Sequence, residues 1–278
     1  LREIRAESIV NAVSDAAIRA NLELGRDVME ALERAVGLEE SEVGRDILKK
    51  LLENARIARE ERIPICQDTG VAVLFVELGR EARVIGDLYQ ALEEGVRKGY
   101  EQGFLRKSVC DPFTRKNTGD NTPVIVHLSL VPGDRLRIWM VPKGGGSENM
   151  SRLFMLPPSA GWAGVKEKVV QTVAEAGPNP CPPTIIGVGI GGDFEQSAIL
   201  AKKSLLRPLG SPNPDPRLVP MEEELLTDVN RTGVGPQGLG GRVTSLAVHI
   251  LMMPCHIASL PLAVNIQCHA SRHVEIVL

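Results

Sequence analysis

The sequence predicts a mixed α+β fold, on three observations. An N-terminal stretch to about residue 62 carries only helix-period apolar patterns. Short apolar runs of strand length follow. Further helical segments are interspersed among those runs without a strict β-α-β alternation, which argues against a TIM barrel. The 278 residues are 43% hydrophobic, enough for a sizeable core. No repeat, low-complexity tract or clean boundary divides them, so residues 1–278 read as one domain.

The first predicted helix runs from Ser8 to Leu22, with Ile9, Val10, Val13, Ala17 and Ile18 near one face. Asp27 and Glu30 have capping-box spacing and open a second helix through Val36. Ser41 caps a third, with Val43, Ile47, Leu51 and Ala55 as its apolar stripe. Val71 to Leu78 reads as a strand, and Asp87-x-x-Gln90 starts a helix that ends near Tyr100. Val124–Val131 and Leu136–Val141 read as two strands joined by the turn Pro132-Gly133-Asp134.

Ala163–Ala176 is helical by pattern, and Thr184–Val188 is a short strand. Asp193-x-x-Gln196 caps a helix to Leu206. The Pro-rich 208–220 segment must be a loop and is the weakest place in the chain. Met221–Asn230 is a helix; Ser245–Met252 and Leu260–Ile266 are strands.

Charge is balanced, 32 Lys+Arg against 35 Asp+Glu, and aromatics are 3% of the chain. No basic stripe or stacking platform points to nucleic acid, and no polybasic cluster or long apolar run points to a membrane. The N-terminal residues alternate charges with apolar residues, unlike a signal peptide. A cytoplasmic protein is expected, with its five cysteines as thiols rather than disulfides. No C-x-x-C pair is present, so any metal site must collect ligands from distant segments.

Five segments concentrate Gly, Cys and polar residues. Cys66-Gln67-Asp68-Thr69-Gly70 places a thiol, an amide, a carboxylate and a hydroxyl in one turn; alone, it reads equally well as a surface turn with a buried Cys. Arg106 precedes Lys116-Asn117-Thr118-Gly119-Asp120-Asn121, where a guanidinium could fork onto a carboxylate; alone, this is an ordinary loop. Lys143-Gly144-Gly145-Gly146-Ser147 offers backbone N–H groups to an anion but lacks P-loop spacing. Cys181 lies between prolines, in stiff and extended backbone, ahead of Gly187-Val188-Gly189-Ile190-Gly191-Gly192-Asp193. Those glycines fit G-x-G-x-x-G by letter. The preceding strand is short and no acid-terminated second strand follows, so tight packing at a strand–helix junction is the better reading than dinucleotide binding. The last segment holds Cys255-His256 and Cys268-His269-Ala270-Ser271-Arg272-His273. Their spacing fits no zinc finger. His249, in an apolar run, reads as a core histidine.

Together and in order, Cys-Gln-Asp-Thr-Gly, Lys-Asn-Thr-Gly-Asp-Asn, Lys-Gly-Gly-Gly-Ser, Gly-Val-Gly-Ile-Gly-Gly-Asp-Phe-Glu and Asn-Ile-Gln-Cys-His resemble the α subunit of class I fumarases and the related L-tartrate dehydratases. The resemblance covers nearly the whole chain. It implies a 4Fe–4S cluster held by Cys66, Cys181 and Cys268. Cys110 and Cys255 fall outside the ligand positions and read as small buried residues. It also implies Gln67 and Asp68 beside the substrate, with Asp68 in an acid–base role, Arg106 on a substrate carboxylate, and backbone contacts from Gly145 and Gly146. Three ligands leave one iron open as a Lewis acid for a hydroxyl and an adjacent carboxylate.

The implied activity is a hydro-lyase interconverting fumarate and malate, with L-tartrate dehydration as the alternative. The Arg, Lys and Thr motifs of a second domain found in single-chain members are not seen here. A separate β subunit, in an α2β2 assembly, is therefore expected to complete the pocket and supply the general base. The competing class is a non-catalytic metal-binding protein, with zinc or an electron-transfer cluster.

Overall fold

The computed structural model describes residues 1–278. In chain order the elements are β1 (Arg2–Arg5), α1 (Ala6–Leu22), α2 (Arg26–Leu38), α3 (Glu42–Glu61), β2 (Val71–Gly79), β3 (Ala82–Ile85), α4 (Leu88–Gln102), β4 (Ile125–Val131), β5 (Leu136–Lys143), α5 (Gly145–Glu148), β6 (Arg152–Leu156), α6 (Gly161–Ala176), β7 (Thr184–Gly192), α7 (Phe194–Ser204), α8 (Val219–Asn230), β8 (Ser245–Cys255), β9 (Leu260–Gln267) and β10 (Val274–Val277). The mixed α+β class is as the sequence predicts. No helix is long and apolar enough to cross a membrane.

The chain forms two compact units. The first comprises residues 1–24, 55–145 and 272–278; the second comprises 25–54 and 146–271.

In the first unit the sheet order is β10-β5-β2-β4, with β1 and β3 as a separate parallel pair. The turn Pro132-Gly133-Asp134 joins β4 to β5, but those strands do not pair. Instead β2 lies between them, parallel to β4 and antiparallel to β5. The core is drawn from α1 (Ile9, Val13), β2 (Leu74, Val76), α4 (Leu92, Val96, Tyr100) and β5 (Leu136, Ile138, Met140). Asp87 caps α4 as its spacing predicts, accepting the Gln90 N–H at 3.0 Å.

In the second unit the order is β6-β9-β7-β8, with β7 parallel to β8 and antiparallel to β9. Alternation along β7 divides its residues between two faces. Ile186, Val188 and Ile190 pack with Val165 and Val169 of α6 and Leu225 and Val229 of α8. Gly187 and Gly189 face α7: a Cβ on them would lie 2.1 Å from the Ala201 carbonyl oxygen and 2.0 Å from that of Ser197. The G-x-G letters thus serve helix–strand packing, as the sequence suggests. Asp193 caps α7 through the Gln196 N–H at 2.8 Å.

Three local expectations change. Asp27 lies inside α2, whose N-cap is Gly25, and its carboxylate accepts the Leu209 N–H at 2.8 Å. Ser41 does cap α3, but the buried stripe is Gly44, Leu48, Ala55 and Ala58, while Val43 is exposed. The Pro-rich 208–220 segment is anchored rather than slack. Asn213 donates to Glu222 at 2.6 Å and to the Ile250 carbonyl at 2.9 Å, and Glu222 also pairs with Arg207 at 2.6 Å.

Candidate active site

In the first unit, the Cys66–Gly70 loop leads from α3 into β2. It is clamped from beneath by three side chains. The Tyr100 hydroxyl, fully buried, donates to the carbonyls of Thr69 at 2.6 Å and Gly70 at 3.0 Å. Asn121, also fully buried, donates to the Gly70 carbonyl at 3.2 Å and accepts the Ser108 N–H at 2.7 Å. The Arg272 guanidinium, 2% exposed, donates to the Asp68 carbonyl at 2.9 Å and to Asn21 at 3.3 Å. Burial pushes the Tyr100 phenol well above its ordinary pKa, so it stays a donor.

These clamps leave Cys66 and Gln67 exposed on the outer side of the loop and Asp68 half-buried. The Asp68 carboxylate accepts the Gly70 N–H at 3.0 Å and the Gly145 N–H at 2.7 Å. The predicted Asp68 and Gly145 are therefore brought together, and this Gly145 N–H is already engaged. Thr69 donates through its hydroxyl to the Arg106 carbonyl at 2.7 Å, which ties Arg106 to the same loop. The Arg106 side chain is exposed and makes no ion pair within the chain. Nearby, burial of Asp120 tends to raise its pKa, but the Thr122 N–H and hydroxyl and Arg97 outweigh it and hold the carboxyl down at about 2.

In the second unit, Cys181 meets the segment that carries Cys268: the His269 Nδ1 lies 2.9 Å from the Cys181 carbonyl oxygen. The backbone at Cys181 is not extended. Its φ is +55°, in the left-handed region, because its N–H turns back to the Pro178 carbonyl at 3.0 Å. Gly146 lies in the same unit; a Cβ there would be 3.0 Å from the Asn179 carbonyl oxygen.

All five cysteines are free thiols. Cys110 and Cys255 are not the small buried residues expected: Cys110 is half-buried and Cys255 is exposed. Cys255 lies at the β8–β9 turn and its thiol donates to the Ser259 carbonyl at 3.2 Å. His249 is the core histidine predicted, 3% exposed, with Nδ1 3.2 Å from the Ser204 carbonyl oxygen.

The donor set suits an iron–sulfur group. Cys66 and Cys181 are exposed and Cys268 is half-buried. Cys66 Sγ accepts the Asp68 N–H at 3.4 Å, and Gln267 Nε2 lies 3.9 Å from Cys268 Sγ. N–H groups aimed at sulfur are the outer partners that orient and tune sulfur ligands in such clusters. No three His, Cys, Asp or Glu side chains converge as a ready-made site for a single metal ion.

Sequence reasoning gave no role to Tyr100, Asn121, Arg272 or Gln237. Asn121 and Arg272 fall inside two of the five segments, but the bonds these side chains make run to residues distant in the chain, so local pattern carries little sign of what they hold. Gln237 is the exception: it is the lone polar side chain in the glycine-rich run from Gly233 to Gly241.

The mixed α+β scaffold thus carries a clamped Cys-Gln-Asp turn in one unit and a Cys181 turn bonded to the Cys268-His269 segment in the other. The family model described as Fumarate hydratase (Fumerase) matches residues 10–277, and the chain belongs to that family. It is 43% identical over 260 residues to a Methanocaldococcus jannaschii protein provisionally named L(+)-tartrate dehydratase subunit alpha, covering 91% of each. It is 34% identical over 250 residues to the L(+)-tartrate dehydratase subunit alpha of Escherichia coli strain UTI89, covering 88% of this chain and 82% of that one.

Proposed function

We propose that this chain is the cluster-holding α subunit of a two-subunit hydro-lyase for small dicarboxylates, with Cys66, Cys181 and Cys268 as the 4Fe–4S ligands. The observation that carries this reading is the meeting of Cys181 with the Cys268-His269 segment, in which a non-glycine residue is kept in left-handed backbone and its carbonyl oxygen lies 2.9 Å from His269 Nδ1. Such conformations persist only where the surroundings over-determine them, and they concentrate at functional sites. When bound, a cluster with three thiolate ligands supplies an open, Lewis-acidic iron for a substrate hydroxyl and its neighbouring carboxylate.

The chain's own residues do the rest. Arg106, free of any intramolecular ion pair, takes the far carboxylate in a bidentate fork and fixes its orientation. Gln67, exposed beside Cys66, offers an amide to the bound acid. Asp68 handles the proton of the departing or arriving water, its carboxylate oriented by the Gly70 and Gly145 N–H groups. Gly145 and Gly146 keep the backbone close to the substrate. The base that takes the C3 proton comes from the β subunit.

Two substrates fit this chemistry. The motif resemblance and the matching family model support fumarate hydration to malate. The names of the relatives support L(+)-tartrate, whose loss of water yields the enol of oxaloacetate. The test is co-expression with the β subunit, anaerobic cluster reconstitution, and parallel assays of fumarate consumption and oxaloacetate formation. Activity on either acid that requires the cluster supports the reading. A colourless, zinc-containing, air-stable complex inactive on both would overturn it in favour of a non-catalytic metal protein.

A further inference from the structure

The glycine-rich strap from Gly233 to Val243 belongs to none of the motifs discussed above. Gly233, Gly235, Gly238, Gly240 and Gly241 all have positive φ. At their centre Gln237, a residue for which this conformation is unfavourable, also sits at φ +53°. The strap's own bonds hold it there. The Gly235 N–H reaches the Thr244 hydroxyl at 3.1 Å and the Gly240 N–H reaches the Val234 carbonyl at 2.9 Å. Gly238 lies so close to Pro178 that a Cβ would sit 2.4 Å from its ring. At the far end, the buried Glu39 carboxylate accepts the N–H groups of Arg242 and Val243 at 2.9 and 2.8 Å.

This conformation aims Gln237 twice at one atom. Its backbone N–H and its side-chain amide both donate to the Pro182 carbonyl, each at 2.8 Å. Pro182 immediately follows Cys181. The same amide nitrogen lies 3.4 Å from His269 Nδ1, and His269 immediately follows Cys268. The shorter contact from His269 Nδ1, 2.9 Å to the Cys181 carbonyl, takes the ring proton, leaving the Gln237 amide to Pro182. Gln237 therefore holds the residue that follows Cys181, while the residue that follows Cys268 bonds the Cys181 carbonyl itself.

We infer that Gln237 is a positioning residue for the cysteine pair. It acts through the Pro182 carbonyl to fix the left-handed turn at Cys181, onto which His269 docks the Cys268 segment, so that the two thiols form a preset pair of ligands. The role rests on the iron–sulfur reading above, and it extends that reading to a residue that ligates nothing. Partners of this kind, one bond removed from the ligands, commonly change metal retention by about 10- to 100-fold.

The test uses the full chain with Gln237→Met and Gln237→Gly. Met keeps the side-chain length and loses the donor. Gly keeps the backbone N–H, adopts the positive φ without strain, and also loses the donor, so it decides the question should the Met variant fail to fold. Two quantities are measured: iodoacetamide labelling of each cysteine in the cluster-free chain, by peptide mass spectrometry, and the lifetime of the reconstituted cluster's visible absorption in air. Expected are a several-fold rise in labelling at Cys181 and Cys268 relative to Cys66, Cys110 and Cys255, and a cluster lifetime about tenfold shorter. Parental labelling ratios in the Gly variant overturn the proposal, as does a uniform rise at all five cysteines, which marks a merely structural role. Failure of the parental chain to take up a cluster defeats the iron–sulfur reading instead, while the labelling ratio still decides what Gln237 does to the cysteines.

Discussion

Tyr100→Phe isolates the hydrogen bonds that hold the Cys66–Gly70 loop. The ring stays and fills the same space, so no cavity forms; only the hydroxyl is lost. That hydroxyl serves two carbonyls, Thr69 at 2.6 Å and Gly70 at 3.0 Å. The Gly70 carbonyl keeps a partner, because Asn121 still donates to it at 3.2 Å. The Thr69 carbonyl loses its Tyr100 donor in a residue that is 1% exposed. A buried acceptor stripped of its partner costs about 1–3 kcal/mol, and one such acceptor places Tyr100→Phe within that range. Tyr100→Ala, which adds a cavity, should cost about 3–5 kcal/mol. Urea unfolding followed by circular dichroism measures both. Burial raises the phenol's folded pKa, so its contribution is fully present below the unfolded value of about 10. It is lost as pH rises through the folded value, so the gap between parent and Phe variant should close in strong alkali. A Phe variant with the parental urea midpoint, or one as costly as Ala, would refute the assignment of these bonds.

Glu39→Gln should destabilise by about 1–3 kcal/mol, because an NH2 group would replace one of the oxygens facing the N–H groups of Ser41, Arg242 and Val243. Burial alone would raise the Glu39 pKa, but those N–H groups lower it overall. Its contribution is therefore present above the unfolded value of 4.5 and lost as pH falls through the folded one, and acid titration of the parent and Gln variants checks the difference. Asp120, held at about 2 against an ordinary 3.8, should likewise contribute above pH 3.8 and cease to do so as pH falls through about 2; Asp120→Asn should flatten that window of the acid unfolding curve. In the assembled, cluster-loaded enzyme, Arg106→Ala should raise KM by roughly 10- to 150-fold with a smaller change in kcat, the loss of a charged hydrogen-bonded pair worth about 1.5–3 kcal/mol. Steady-state kinetics on the active substrate reads this directly, and an unchanged KM removes Arg106 from substrate binding.

What was legible in the sequence follows from the range of the interaction that creates it. Asp87 and Asp193 announce their helices because a cap reaches only three residues. The partner of β4 could not be read the same way: a turn sequence links it to β5, but pairing is decided by which strand completes the sheet, and β2 takes the place between them. Cys181 was misread as extended because the rule for a residue before proline knows nothing of the bond from its N–H to Pro178. The residues proposed for the chemistry are visible as motifs through the family resemblance, since alone each segment reads equally well as a turn or an ordinary loop.

Their supports are a different matter. Arg272 reaches the Asp68 carbonyl across 204 residues, and Glu39 reaches Val243 across another 204. Any side chain of sufficient length and matching hydrogen-bonding chemistry could meet such a demand, so composition leaves no mark on it. Backbone conformation is less forgiving. A strap that needs positive φ at residue after residue must be written largely in glycine, and the run from Gly233 to Gly241 is so written. Within it, a long polar side chain that tolerates the same conformation must be held there by what it touches. That makes Gln237 a supporting residue whose position the sequence could have disclosed outside the motifs, and it is the residue whose amide meets the turn carrying Cys181.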